Sequence, residues 1–265
     1  MSNSLKESWD RISQDYQARM RIPTDDVYWG EFVASERQLK LLGEVKGKKI
    51  LEICCGGAQN SIALLKWGAE VYGIDLSRKQ ILYGKRLARK EKRQIDLIVG
   101  NAEKLPFKNG YFDMVITAIS LLYVPNLAAA ISEVNRVLRR RGYFVFSNSH
   151  PLVEGKLVRY KNKPALAIRR YFKRRIVRWT DKLQDGFRVK MHSYYRTLQD
   201  YFDALFENGF LVERYIELER LEEKDLHALD VEDLRNSRNA RQLYKTMKEI
   251  PYWIVFKTRK TRNAF

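Results

Sequence analysis

The residues able to do chemistry begin in one stretch, Lys49-Ile50-Leu51-Glu52-Ile53-Cys54-Cys55-Gly56-Gly57-Ala58-Gln59-Asn60. An apolar run closes on an acid and opens into a turn of small residues, where backbone can come close to a ligand. A helical pattern runs from Ser61 through Trp67, and a second apolar run, Val71-Tyr72-Gly73-Ile74, ends on Asp75. Strand, small-residue loop, helix and acid-ended strand make a cradle for a nucleotide-like ligand. Two other groups could act beside it. Asn101-Ala102-Glu103 follows a third apolar run. His150 stands just before Pro151, and an imidazole that titrates near neutrality suits proton transfer. A histidine that only holds the turn is the equal alternative. Tyr123, Tyr28, Trp29, Tyr195 and Arg196 are candidates for an acceptor pocket, Arg196 because a guanidinium grips an anion bidentately. Each could equally serve packing. His192 and His227 lie in an alternating run and a polar helical region, where packing or surface roles are more ordinary.

These residues need elements to position them. Strands are expected at 49–54, 70–75, 95–99, 112–118, 142–147, 210–217 and 252–256, with Arg139-Arg140-Arg141-Gly142 a turn. Helices are expected at about 59–67, 78–91, 127–138 and 197–208, with a short one near 119–123. Alternation at this spacing predicts an α/β fold: a seven-stranded, mostly parallel, Rossmann-like sheet with helices on both faces and a helical cap. Leu5, Trp9, Ile12 and Tyr16 sit at helical spacing, so residues 1–45 form an N-terminal helical lid. The core spans 46–150. Residues 151–192 form a basic insertion, and 193–265 complete the sheet with a second helical insertion at 222–249 and a basic tail that frays.

The insertion carries much of the chain's charge. The whole chain has 50 Lys and Arg against 32 Asp and Glu, a net +18 over 265 residues. Residues 152–190 hold 13 of the cations and 3 of the acids. Ile168, Tyr171, Phe172, Ile176 and Trp179 mark one helical face and Arg169, Arg170, Lys173, Arg174 and Arg178 much of the rest, so a basic amphipathic helix is expected. It could be a substrate lid, a membrane-surface contact, an RNA footprint or a homodimer contact. No stretch approaches a membrane span and no signal-peptide pattern opens the chain, which points to the cytoplasm. Cys54 and Cys55, being adjacent, form neither a disulfide framework nor a metal-ligand spacing, so no metal is expected. Both read as small buried side chains rather than nucleophiles.

The ordered set resembles the class I S-adenosylmethionine-dependent methyltransferases, and among them the type 11, UbiE-like subset acting on small molecules. Leu51-Glu52-Ile53-Cys54-Cys55-Gly56-Gly57-Ala58 matches the family's first loop, Leu-Glu-x-Gly-Cys-Gly-x-Gly. Gln59-Asn60-Ser61, Phe146-Ser147-Asn148-Ser149-His150-Pro151 and Arg196-Thr197-Leu198 match the subset. Cys54 stands where the family has its first glycine and Ala58 where it has its third. A side chain at Cys54 would crowd the cofactor's methionyl end or demand backbone angles that a non-glycine residue resists.

The resemblance implies S-adenosylmethionine as methyl donor and S-adenosylhomocysteine as product. It implies that Glu52 holds the methionyl amino group through water or the loop, with fixing the loop as the alternative. Asp75 would accept the ribose hydroxyls, Leu76 would edge the adenine, and Asn101, usually Asp, would face its exocyclic amine. Ala102 would donate its N–H to a ring nitrogen, and Ile119 and Ser120 would line the sulfonium neighbourhood. Cys54, Gly56, Asn60 and Glu103 complete the cofactor set, and His150, Tyr123, Tyr195, Arg196 and Tyr28 the catalytic one. The expected function is methyl transfer to an O, N or C atom of a small apolar or anionic acceptor. The alternatives are an RNA methyltransferase and a non-catalytic scaffold. The strand-four loop Ala118-Ile119-Ser120-Leu121-Leu122-Tyr123 lacks the Asn/Asp-Pro-Pro-Tyr pattern of base amino-methylation, so nucleic acid is disfavoured. The Phe-Ser-x-x-His-Pro run argues against a nicotinamide-dependent oxidoreductase.

Overall fold

The computed structural model describes residues 2–154, 156–160, 163–168 and 170–261. Arg169 of the expected amphipathic helix lies outside them. In chain order the helices and strands are α1 (Ser2–Met20), α2 (Glu36–Leu39), β1 (Lys49–Ile53), α3 (Gln59–Lys66), β2 (Glu70–Asp75), α4 (Arg78–Lys90), β3 (Asp96–Val99), β4 (Phe112–Ala118), α5 (Leu127–Val137) and β5 (Leu138–Ser149). Then come β6 (Lys156–Tyr160), β7 (Lys163–Ala167), β8 (Arg175–Lys182), β9 (Arg188–Tyr195), α6 (Leu198–Glu207), β10 (Phe210–Leu218), α7 (Ala228–Asn236), α8 (Arg238–Thr246) and β11 (Trp253–Lys260).

Seven strands form one sheet in the order β10-β11-β5-β4-β1-β2-β3. The run β5 to β3 is parallel, and β11 pairs antiparallel with both β5 and β10. Strands covered on both faces read as continuous apolar runs, and Ile50, Leu51, Ile53, Val115, Ile116, Val145 and Phe146 are fully buried. On one face α5 and α6 pack through Ala130, Ile131, Val134 and Leu205. On the other lie Trp29, Phe32, Ala63, Leu64 and Leu234. Side-chain caps start the helices that flank the site: Ser77 accepts from Gln80 N–H, Asn126 from Ala129 N–H, and Thr197 with Asp200 closes a capping box on α6.

Three expectations are corrected. The basic insertion holds no α-helix among its described residues, only a short 3-10 turn at Pro151–Glu154: Lys156–Tyr160 pairs with Lys163–Ala167, and Arg175–Lys182 with Arg188–Tyr195, as two antiparallel hairpins. Alternation explains the second: Val189, Met191, Ser193 and Tyr195 are buried while the residues between them face outward, a period of two rather than 3.6. The cap is therefore α1 plus a hairpin. Arg139 to Gly142 is no turn, because β5 already begins at Leu138. The tail does not fray at Lys257, since β11 runs on to Lys260, whose ammonium donates to the carbonyls of Asn135 (2.7 Å) and Leu138 (3.0 Å).

Candidate active site

The loops after β1, β2, β3 and β4 open at the carboxyl edge of the sheet, where a doubly wound fold leaves its crevice. The β1 loop takes an alternating left-handed path: φ is +52° at Cys54, +52° at Gly56 and +61° at Ala58. Only the middle residue is a glycine. The family pattern's glycine conformation is thus kept at Cys54 and Ala58 at a cost of roughly 1–2 kcal/mol each. A Cβ built on Gly56 meets nothing within 4 Å, so that side of the loop faces open space.

Asp75 ties this loop to the next. Its Oδ2 accepts from Gly56 N–H (2.9 Å) and its Oδ1 from Ser77 N–H (2.8 Å). Each oxygen keeps a second lone pair. Burial pushes the Asp75 carboxyl up to about 6, against the lowering effect of the Ser77 and Gly56 N–H groups. Glu52 is buried and its Oε2 accepts from Ser61 N–H (3.0 Å) and from the Ser61 hydroxyl, which holds the start of α3; burial pushes it up to about 7. Asn60 Oδ1 accepts from Tyr28 N–H (2.8 Å), Asn101 Oδ1 from Glu103 N–H (2.9 Å), and Glu103 Oε1 from Asn126 N–H (2.6 Å). Ile119 is left-handed at φ +52°.

Two cavities meet here. The first is walled by Asp75, Leu76, Gly100, Asn101, Ala102 and Glu103, with Ser120 and Tyr123 opposite. The second reaches Glu52, Asn60, Gln59 and Tyr28. They share Tyr16, Cys54, Gly56, Ala118 and Ile119. All ten residues expected at the cofactor therefore line one cavity or the other, as do Tyr123 and Tyr28 of the catalytic set.

Three of the catalytic candidates are not brought there, which corrects their expected placement. His150 is buried and lines neither cavity. Its Nδ1 accepts from Leu152 N–H (3.1 Å), which leaves the proton on Nε2, 3.1 Å from Glu217 Oε1. Burial lowers its pKa, and Glu217 raises it only partway back. This is the imidazole that holds a turn. Arg196 donates to the carbonyls of Leu121 (2.9 Å), Val124 (2.5 Å) and Pro125 (3.0 Å), so it clasps the β4–α5 loop from outside. Tyr195 is buried under the Arg175 guanidinium, 4.0 Å from its ring centre. Trp29 belongs to the core and donates to Glu36 (3.1 Å). His227 accepts from Leu229 N–H as the cap of α7, and His192 sits opposite Arg178 on the hairpin.

The roof supplies residues that sequence reasoning missed. Leu5, Trp9 and Tyr16 of α1 cover the first cavity, and Gln17, Met20 and Ile22 the second. Trp9 meets Tyr16 and Tyr123 edge-on at 5.3 and 5.0 Å. Asp10 fastens α1 to the β2 loop, with Oδ1 accepting from the Ser77 hydroxyl (2.7 Å) and Lys79 N–H (3.0 Å). Gln17 donates to Gln80 (2.8 Å) and accepts from Gln59 (2.5 Å). The spacing of Leu5, Trp9 and Tyr16 was visible, but nothing in it says that the aromatic face covers a cavity rather than a core.

Residues 51–146 match the family model described as a methyltransferase domain. A demethylmenaquinone methyltransferase of Staphylococcus saprophyticus is 37% identical over 113 residues, 42% of this chain and 48% of the relative. The match thus spans about half the length of that relative. Among solved structures, a putative S-adenosylmethionine-dependent methyltransferase from Listeria monocytogenes aligns with a TM-score of 0.65 at 22% identity, over 84% of this chain and 95% of that one. The [4+2]-cyclase SpnF aligns with a TM-score of 0.63 at 18% identity, over 98% and 96%. At such identities these structures show a shared fold, and the cyclase shows that the fold alone does not name a reaction.

Proposed function

We propose that the protein, whose residues 51–146 match the methyltransferase domain, transfers a methyl group from S-adenosylmethionine to an O, N or C atom of a small apolar acceptor. The observation that carries this reading is the meeting of the two cavities at Cys54, Gly56 and Ile119 beneath α1. One cavity offers a carboxylate and amide suited to an adenosine, the other a polar wall suited to an amino acid end.

The donor set fits the cofactor. Asp75 has acceptor capacity left for two ribose hydroxyls, and Asn101 Nδ2 keeps donor capacity. Leu76, Ala102 and Ile119 give the apolar edge, and Glu52, Asn60 and Gly56 would hold the methionyl end. When bound, the cofactor supplies a methyl group already activated on a sulfonium. The chain's own residues then have to align the acceptor and exclude water.

Proton handling follows from what lines the cleft. Burial pushes the Tyr16 phenol up to about 12 and raises those of Tyr28 and Tyr123 as well. All three remain protonated at neutral pH and act as hydrogen-bond donors to an acceptor. Among the described residues the cavity walls hold no histidine, lysine or arginine. The site therefore suits an acceptor that loses its proton readily, such as a quinol or phenol. Leu5, Trp9, Met20 and Ile22 favour an apolar body on that acceptor.

The test is transfer of labelled methyl from S-adenosylmethionine to a panel of quinols and phenols, with demethylmenaquinone first because the relative is named for it. Label in at least one apolar acceptor, lowered tenfold or more by Tyr123→Phe, is expected. Cofactor binding without label in any member would overturn the acceptor class.

A further inference from the structure

The outward face of the β8–β9 hairpin takes no part in either cavity. Its cross-strand pairs put Arg178 opposite His192, Thr180 opposite Lys190 and Lys182 opposite Arg188. Arg178, Lys182, Arg188 and Lys190 are exposed, and none has an ion-pair partner among the described residues. The acids of this region are turned elsewhere: Asp181 accepts from the Trp179 indole on the inward face, and Asp185 pairs with Arg11.

One exposed aromatic stands at the start of this cationic strip, Phe172, 80% exposed. Phe187, at the other end, belongs to the inward side, where the Arg11 guanidinium of α1 lies 4.5 Å from its ring centre. The Phe172 turn is built, not slack. Lys173 N–H donates to the Arg170 carbonyl (3.0 Å), and Arg175 braces the carbonyls of Arg170 and Lys173 (both 3.3 Å) while lying over the Tyr195 ring. Arg174 ties the turn to Asp200 of α6 (2.6 Å). A large ring is thus held out into water, between the exposed cations Arg170 and Lys173, by contacts that lock its backbone.

We propose that this face docks on an anionic phospholipid bilayer, with the cations of the hairpin against the headgroups and Phe172 entering the interface. Three features favour that occupant. The strip is about 25 Å long, from eight residues at the strand rise, and carries four exposed cations, Arg178, Lys182, Arg188 and Lys190. Its cations have aliphatic stems that suit the headgroup layer. Its one outward ring, Phe172, offers no row of platforms for successive bases of a single-stranded polynucleotide. The inward face of the same hairpin packs Leu183, Val189 and Met191 on Ile12 of α1, the helix that roofs the cavities. Docking would therefore set a lipid surface one layer from the roof. The inference goes beyond the activity proposed above and does not rest on it.

The experiment is co-sedimentation of the full chain with vesicles of phosphatidylcholine alone or with about 30% phosphatidylglycerol, at low and high salt. Binding to the anionic vesicles at least tenfold tighter than to the neutral ones, released by high salt, is expected. Arg178→Glu with Lys190→Glu should weaken it about 25-fold or more, at about fivefold per cation. Phe172→Ser should weaken it about tenfold, which separates insertion from charge alone. Circular dichroism and S-adenosylmethionine affinity of the variants report folding and the cofactor site independently. No binding to anionic vesicles, or no effect of either substitution in folded protein, overturns the proposal. Tighter binding to a single-stranded RNA oligonucleotide than to the vesicles overturns it in favour of a polynucleotide.

Discussion

The floor and the roof of the cleft are held in place by different means. The floor is backbone: loops a few residues long at the ends of β1 to β4, fixed by neighbouring strands and by the Asp75 carboxylate between Gly56 and Ser77. The roof is one helix held by side chains, Asp10 on Ser77 and Lys79, and Gln17 on Gln59 and Gln80. A floor built into the sheet cannot move without disturbing the core. A roof held by a handful of polar contacts can part and close again, which a site exchanging two ligands needs. Changes in the floor should therefore remove cofactor binding, whereas changes in the roof should only weaken it.

The largest effect is expected at Asp75. Asp75→Ala removes both loop ties and the acceptor proposed for the ribose hydroxyls, and should weaken S-adenosylmethionine binding by about a hundredfold in titration calorimetry. The same group sets a pH dependence. Burial raises its carboxyl to about 6, and on the proposed placement the ribose hydroxyls would donate to the ionised form. Affinity should thus be full above neutrality and fall as pH drops through about 6, by up to tenfold per pH unit below that. Asp75→Asn should bind more weakly and lose this slope; a slope that persists in the variant would assign it to another group.

Next comes Gly56→Ala, which puts a methyl into the open side of the loop at a positive φ. About tenfold weaker binding is expected, with about 1 kcal/mol lost in urea denaturation. On the roof, Asp10→Ala gives up the two hydrogen bonds that tie α1 to the β2 loop and should weaken binding by about fivefold, chiefly through faster release in stopped-flow kinetics. A roof effect equal to that of Asp75→Ala would erase the distinction between the two surfaces. The smallest effect belongs to His150→Ala. It should leave cofactor affinity within about twofold and cost about 1 kcal/mol of stability, since its partner Glu217 is half exposed. If methyl transfer collapses in that variant while it stays folded, His150 acts in the reaction after all.

The same division explains what could be read from the chain. Each strand of the sheet, and each loop residue facing the cofactor cavities, lies within one local pattern: an apolar run, its acid and the small residues after it. Loop and ligand-facing residue are neighbours in sequence, so the pattern carries both. His150 defeats this kind of reading because its partner stands on β10, 67 residues away. Arg196 defeats it for the same reason, clasping a loop more than 70 residues earlier. The hairpin was misread because Ile168, Phe172, Ile176 and Trp179 mimic helical spacing, while the period of two begins only at Arg175. The motif flags Cys54 as a residue in a glycine's place; the left-handed backbone at both Cys54 and Ala58 comes from the structure.

The central claim is that this loop, with cysteine and alanine at left-handed positions, still forms a methyl-donor site. Isothermal titration of the full chain with S-adenosylmethionine at pH 7.5 tests it most directly. A single site with a dissociation constant of about 1–100 μM, lost in Asp75→Ala, is the expected result. No binding below about 1 mM by correctly folded protein would contradict the account.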